Sequence, residues 1–152
     1  MIAPLLAPLT CAATAIHYEP LPQSGSLRGI PWVQGTPLRR GFFGVLFAYD
    51  AELGPSFALY THGESPHGHI EKILWIVRNR NAGGWLTVRG REIDGTTTFH
   101  ERFKEVTDAS DPPAVGHEFA SNVVLPHAGC WRLDVQSGRR AKATFIVQGF
   151  DA

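Results

Sequence analysis

The chain has 152 residues, 43% of them hydrophobic, which suits one domain with a real core and excludes a disordered chain. Lys+Arg and Asp+Glu both number 14, so the formal charge is zero, which argues against a nucleic-acid binder and against a polybasic lipid-binding run. The 16 glycines and 11 prolines, set among short apolar runs, predict many turns and an all-β domain.

The first 15 residues, "MIAPLLAPLTCAATA", carry no charge and are too short to span a bilayer. They look like the apolar half of a secretion signal ending in Ala13-Thr14-Ala15, an A-x-A pattern, without the basic n-region. Export to the cell envelope or beyond is the expectation. Two alternatives stand beside it: a lipoprotein signal in which Cys11 carries the lipid, and an apolar tail on a cytosolic protein. Pro8-Leu9-Thr10 makes a poor lipobox. Cleavage after Ala15 would remove Cys11 and leave Cys130 as an unpaired, buried thiol. Retention would allow one disulfide in an oxidising compartment, provided the tail reaches the strand at Trp131–Gln136.

Residues 16–40 are rich in Pro, Gly and Ser and read as an irregular leader with one edge strand near Ile30–Val33. The sandwich domain is expected over residues 41–152. Its first firm strand is Gly41–Tyr49, "GFFGVLFAY", apolar on both faces and therefore central. Ser56–Thr61 is a shorter strand. In Ile70–Arg78, Ile73, Trp75 and Val77 share one face, and Gly84–Ile93 follows the turn signal Asn79–Gly83. Pairing these two as a hairpin, with Arg78 opposite Trp85, places Val88 against Trp75 and leaves the other face solvated. In that register the arginines of "VRNR" and "VRGR" fall at opposite ends and form no basic cluster. Thr97–Phe103 is a further strand with Phe99 and Phe103 on one side. An acidic, proline-bearing loop follows, and then strands Phe119–Leu125, Cys130–Gln136 and Lys142–Gln148. Gln136–Arg139 turns the last hairpin.

In "LPHAGCWRLDV" (Leu125–Val135), Trp131, Leu133 and Val135 alternate and should point inward. Cys130 has no adjacent base or helix N-terminus to activate it, so a nucleophilic role is not expected. With no amphipathic helix, the fold class is an all-β, single immunoglobulin-like sandwich of about seven to nine mostly antiparallel strands. Phe43 or Phe47, Trp75, Val88, Trp131, Leu133 and Phe145 are its expected core.

The segments "PWVQGTP", "KILWIVRN", "GGWLTVRGREIDG" and "FASNVVLPHAGCWRLDVQSG" resemble, in the same order, segments of uncharacterised bacterial exported proteins and lipoproteins with a "W…G.L.I.G.RLDG…F.S…FP..GCW.L…G" pattern. The resemblance runs over roughly Leu27–Gln148 and is most specific at "GREIDG" and "PHAGCW". It implies an immunoglobulin-like sandwich and assigns no catalytic residue. The chain departs from that pattern at its N-terminus.

Three segments could carry chemistry. "YTHGESPHGHIEK" holds His62, His67, His69 and Glu64, a set able to bind Zn²⁺ or Cu²⁺ if the loop folds back, or else an ordinary surface loop. "GESPH" offers Ser65 to a small hydrolase but lacks the second glycine of a nucleophile elbow. Asp108 and Asp111 of "TDASD" lack the spacing of a calcium loop. Of the four tryptophans, Trp32 and Trp85 are the two expected to be exposed, Trp85 against Arg78, where flat aromatics could bind carbohydrate. The functional expectation is a non-enzymatic, exported binding or envelope accessory module for a protein, small-molecule or carbohydrate ligand. No cofactor, nucleic acid or transmembrane span is expected. Metal binding and hydrolysis are the alternatives.

Overall fold

The computed structural model describes residues 11–22, 27, 29–106 and 116–152. Asp108 and Asp111, and the first ten residues of the leader, lie outside the described residues. Among these residues nine strands are formed: β1 (Trp32–Gln34), β2 (Phe42–Phe47), β3 (Ala58–Tyr60), β4 (Lys72–Val77), β5 (Trp85–Glu92), β6 (Thr98–Lys104), β7 (His117–Ser121), β8 (Gly129–Ser137) and β9 (Ala141–Phe150). They make a four-stranded sheet, β1-β2-β4-β7, and a five-stranded sheet, β3-β9-β8-β5-β6. All pairings are antiparallel except β3 with β9. The two sheets form a β-sandwich.

Period-two alternation supplies the core between them. Ile73, Trp75 and Val77 from β4 meet Leu86 and Val88 from β5, Trp131, Leu133 and Val135 from β8, and Phe145 and Val147 from β9. Trp75 packs edge-on against Phe145 at 5.1 Å, and its Nε1 donates to Ser121 Oγ at 2.8 Å, so the buried indole keeps its hydrogen bond. Trp131 is fully buried, with Phe99 edge-on at 5.6 Å and its Nε1 donating to His127 O at 3.0 Å. Gly90 interrupts the apolar face of β5 because the Phe99 ring occupies that space: a Cβ there would lie 2.0 Å from a ring carbon.

Four expectations are corrected. First, β4 and β5 are not a hairpin but lie in different sheets, and β5 pairs with β6 and β8. Alternation gave each strand a matching apolar set, Ile73, Trp75 and Val77 against Leu86 and Val88, a condition met equally well across a sandwich as within a sheet. Gly83 and Gly84, at φ 137° and 76°, help carry the chain from one sheet to the other. Second, the core residues of β2 are Phe42 and Leu46, while Phe43 and Phe47 face outward. Both faces of β2 are apolar because both are covered. Third, the outer face of the four-stranded sheet is not solvated. Leu21, Trp32, Phe43, Val45 and Ile76 form a second buried cluster there, with Leu27 and Ile30 packed on it. The stretch before β2, irregular as expected, thus acts as an apolar cover. Fourth, Trp32 is only 5% exposed: it stacks on His17 at 4.3 Å and its Nε1 donates to Glu19 O at 2.7 Å.

Residues 11–17, read as the end of a leader and the start of an irregular segment, are woven into the sandwich. Thr14 N donates to Ile146 O at 2.9 Å and Phe57 N to Thr14 O at 2.7 Å, while His17 pairs with Trp32. Cys11 forms a disulfide with Cys130, so Cys130 is not a free thiol and Cys11, in this state, has no sulfur left to carry a lipid. The outer edge of β9 is covered from Thr144 to Phe150, by Thr36 at Thr144, Thr14 at Ile146 and β3 beyond.

Candidate functional site: the outer face of the five-stranded sheet

The two outer faces of the sandwich differ. The four-stranded sheet is covered by apolar side chains, whereas the five-stranded sheet presents its alternate residues to solvent. Register fixes which residues stand together. Arg89 lies between His100 on β6 and Asp134 on β8, Arg91 between Thr98 and Arg132, and Thr87 between Arg102 and Gln136. Gln136 and Asp134 in turn face Lys142 and Thr144 on β9, and Trp85 faces Lys104.

Among the described residues of its strands, this face carries Arg89, Arg91, Arg102, Lys104, Arg132 and Lys142 against a single acid, Asp134, in a chain of zero formal charge. Asp134 is already engaged, accepting from Arg132 Nε at 3.0 Å and from Thr144 Oγ1 at 2.9 Å. Among the described residues no carboxylate stands within ion-pair distance of Arg89, Arg91, Arg102, Lys104 or Lys142. Arg91 and Arg132 are direct cross-strand partners, a like-charge pairing that costs stability. Trp85 is 47% exposed and lies under the Arg102 guanidinium, with Cζ 4.4 Å from the ring centroid. The expected partner Arg78 instead sits over Phe43 at 5.1 Å and donates to Pro22 O, because it belongs to the other sheet.

Two shallow hollows lie on this face. One hollow of about 440 Å³ is lined by Thr36, Arg40, Arg89, Arg132, Gln136 and Lys142, among others. A second, of about 390 Å³, lies beside it over Arg91, Thr98 and His100, and the two share Arg89 and Asp134. The sequence reading missed this cluster, although "VRGR" and "WRLDV" place arginines at the wet positions of both strands. The signal was there, but the assumed hairpin sent it to the wrong neighbours.

The histidine loop is a compact turn. Ser65 N donates to His69 O at 2.8 Å, and Ser65 Oγ accepts the backbone N–H groups of His67 and His69 at 3.3 and 3.2 Å. Ser65 is thus a turn-forming residue, and among the described residues no imidazole nitrogen bonds its hydroxyl. His67 and His69 border a hollow of about 310 Å³ with Ser65, Tyr49 and Asp50, and neither His62 nor Glu64 lines it. Among the described residues no three His, Cys, Asp or Glu side chains converge into a metal site. Near that hollow, Tyr60 Oη donates to Asp50 Oδ2 at 2.7 Å, which lowers the Asp50 carboxyl and raises the Tyr60 phenol to about 12. Tyr60 N donates to Glu71 Oε1 at 2.6 Å. Glu71 is 3% exposed, and burial pushes its carboxyl up to about 7.

No protein-family model matches this chain, and no curated protein matches it. Among solved structures, a Bacillus anthracis protein described as a "Putative Lipoprotein" matches over 80% of this chain and 79% of that chain, at 12% identity and a TM-score of 0.46. No helix among the described residues is long and apolar enough to cross a membrane.

Proposed function

We propose that the protein is an exported, non-enzymatic binding module of the immunoglobulin-like type, and that its ligand face is the outer face of the five-stranded sheet. The observation that carries the reading is the asymmetry of the two outer faces. One is covered by apolar residues, while the other is left wet, hollowed and predominantly basic, at a cost in self-repulsion that a ligand would offset. Strand order supports the immunoglobulin-like assignment. The order β9-β8-β5-β6 in one sheet, with β4 beside β7 in the other, corresponds to the G-F-C-C′ and B-E neighbours of a variable-type immunoglobulin sandwich. The Cys11–Cys130 disulfide supports export, since such bonds persist in oxidising compartments. Trp85 is the aromatic proposed to contact the ligand.

Two measurements in the native host test this. Alkylation of intact cells should leave Cys11 and Cys130 unlabelled until reductant is added; direct labelling of both would place the chain in a reducing compartment. The wild type should be retained with the envelope fraction, and an Arg89→Glu, Arg132→Glu variant should be released. Equal retention of the two would remove this face from the binding surface.

A further inference from the structure

The chemistry of the face narrows the ligand class, an inference that rests on the reading of this face as the ligand face. Adjacent strands lie about 4.8 Å apart and alternate residues along a strand about 6.8 Å apart. The register then lays Arg132, Arg91, Arg89, Arg102 and Lys104 in a diagonal stripe roughly 20 Å long, across β8, β5 and β6. A small anion would meet only two of these charges. An elongated ligand with repeated negative groups would meet them all. Guanidinium groups dominate the stripe, and their planar donor fork matches carboxylate, sulfate or phosphate.

Two further features distinguish a sugar polymer from a bare polyanion. At the Lys104 end stands Trp85, half exposed and held by Arg102 on one face, which can act as a platform for a sugar ring. Along and beside the charges stand neutral hydrogen-bonding groups, the Thr87 hydroxyl and the Gln136 amide oxygen, suited to hydroxyls. We infer that this face binds an acidic glycan, with its anionic groups along the arginine stripe and one ring on Trp85.

The probe is polygalacturonate, a linear sugar polymer with one carboxylate per unit. Its methyl ester keeps the backbone and removes the charge, and an oligothymidylate of equal charge is the nucleic-acid comparison. Binding of the full disulfide-bonded chain is measured by calorimetry at low salt, with near-ultraviolet circular dichroism as the check that each variant is folded. The wild type should bind polygalacturonate, and bind the ester and the oligothymidylate roughly tenfold or more weakly. Arg89→Ala with Arg91→Ala should weaken polygalacturonate about tenfold. Trp85→Ala should weaken it severalfold without changing its salt dependence. No binding of polygalacturonate, equal binding of the ester, or tighter binding of the oligothymidylate would each overturn the acidic-glycan inference. If the arginine variants still abolished whichever ligand bound, the reading of the face would stand. Unchanged binding by folded arginine variants would overturn that reading as well.

Discussion

The Cys11–Cys130 disulfide joins residues separated by 119 positions in a chain of 152, so it closes most of the chain into one loop. Chain-entropy loss in the unfolded state grows with the logarithm of loop length, and for this separation comes to about 5 kcal/mol at 25 °C. That is comparable to the net stability of many domains of this size. The native fold should nevertheless survive loss of the bond. Residues 14–17 stay docked through backbone bonds, Thr14 N to Ile146 O at 2.9 Å and His17 N to Trp32 O at 2.8 Å among them. The perturbation is Cys11→Ala with Cys130→Ala, compared with oxidised wild type by guanidinium denaturation at equal pH. The expected result is a large fall in midpoint with an unchanged near-ultraviolet spectrum under native conditions. A shift below about 1 kcal/mol would show that the bond does not constrain the unfolded chain as argued. Two titratable thiols in the native oxidised protein would show that the bond is absent.

Other outcomes follow from the same geometry. Trp131→Ala removes a fully buried indole packed against Phe99 and should cost about 3–5 kcal/mol; a denaturant shift under one kcal/mol would remove Trp131 from the core. Glu71, with its folded pKa raised by burial from 4.5 to about 7, contributes stability that is fully present below pH 4.5 and lost as pH rises through 7. The loss should be on the order of 3 kcal/mol. Glu71→Gln, which keeps an acceptor for Tyr60 N and cannot ionise, should flatten the pH profile of thermal stability over that window, and parallel profiles would contradict the assignment. Calorimetric titration with Zn²⁺ should give the same weak or absent binding in wild type and in His67→Ala with His69→Ala, because among the described residues no third donor converges on that pair. Tight binding lost in the double variant would establish a metal site at the loop.

Local alternation in the sequence determined most of the strands and the inward direction of Trp75, Val88, Trp131, Leu133 and Phe145, because the side-chain period of an extended chain is a property of the chain itself. It also gave the β8–β9 hairpin, although the strands run on to pair Ser137 with Ala141, so the turn is residues 138–140, opened by Gly138 at φ 70°, and not Gln136–Arg139. Phase became ambiguous where both faces of a strand are apolar. In β2 the pattern could not say whether Phe42 or Phe43 meets the opposite sheet, since each is buried against a different layer. Sheet membership was decided only in three dimensions. β4 and β5 look like hairpin partners because each presents an alternating apolar set to the core, and only closure of the whole sandwich separates them. The candidate site depended on that same step. Arg89 and Arg91 stand beside Arg132 only because β5 pairs with β8, some 40 residues away, and no local rule carries information over that distance. The role of Cys11 was likewise open until the fold brought residues 11–17 to the edge of β9, next to the start of β8, where Cys130 stands.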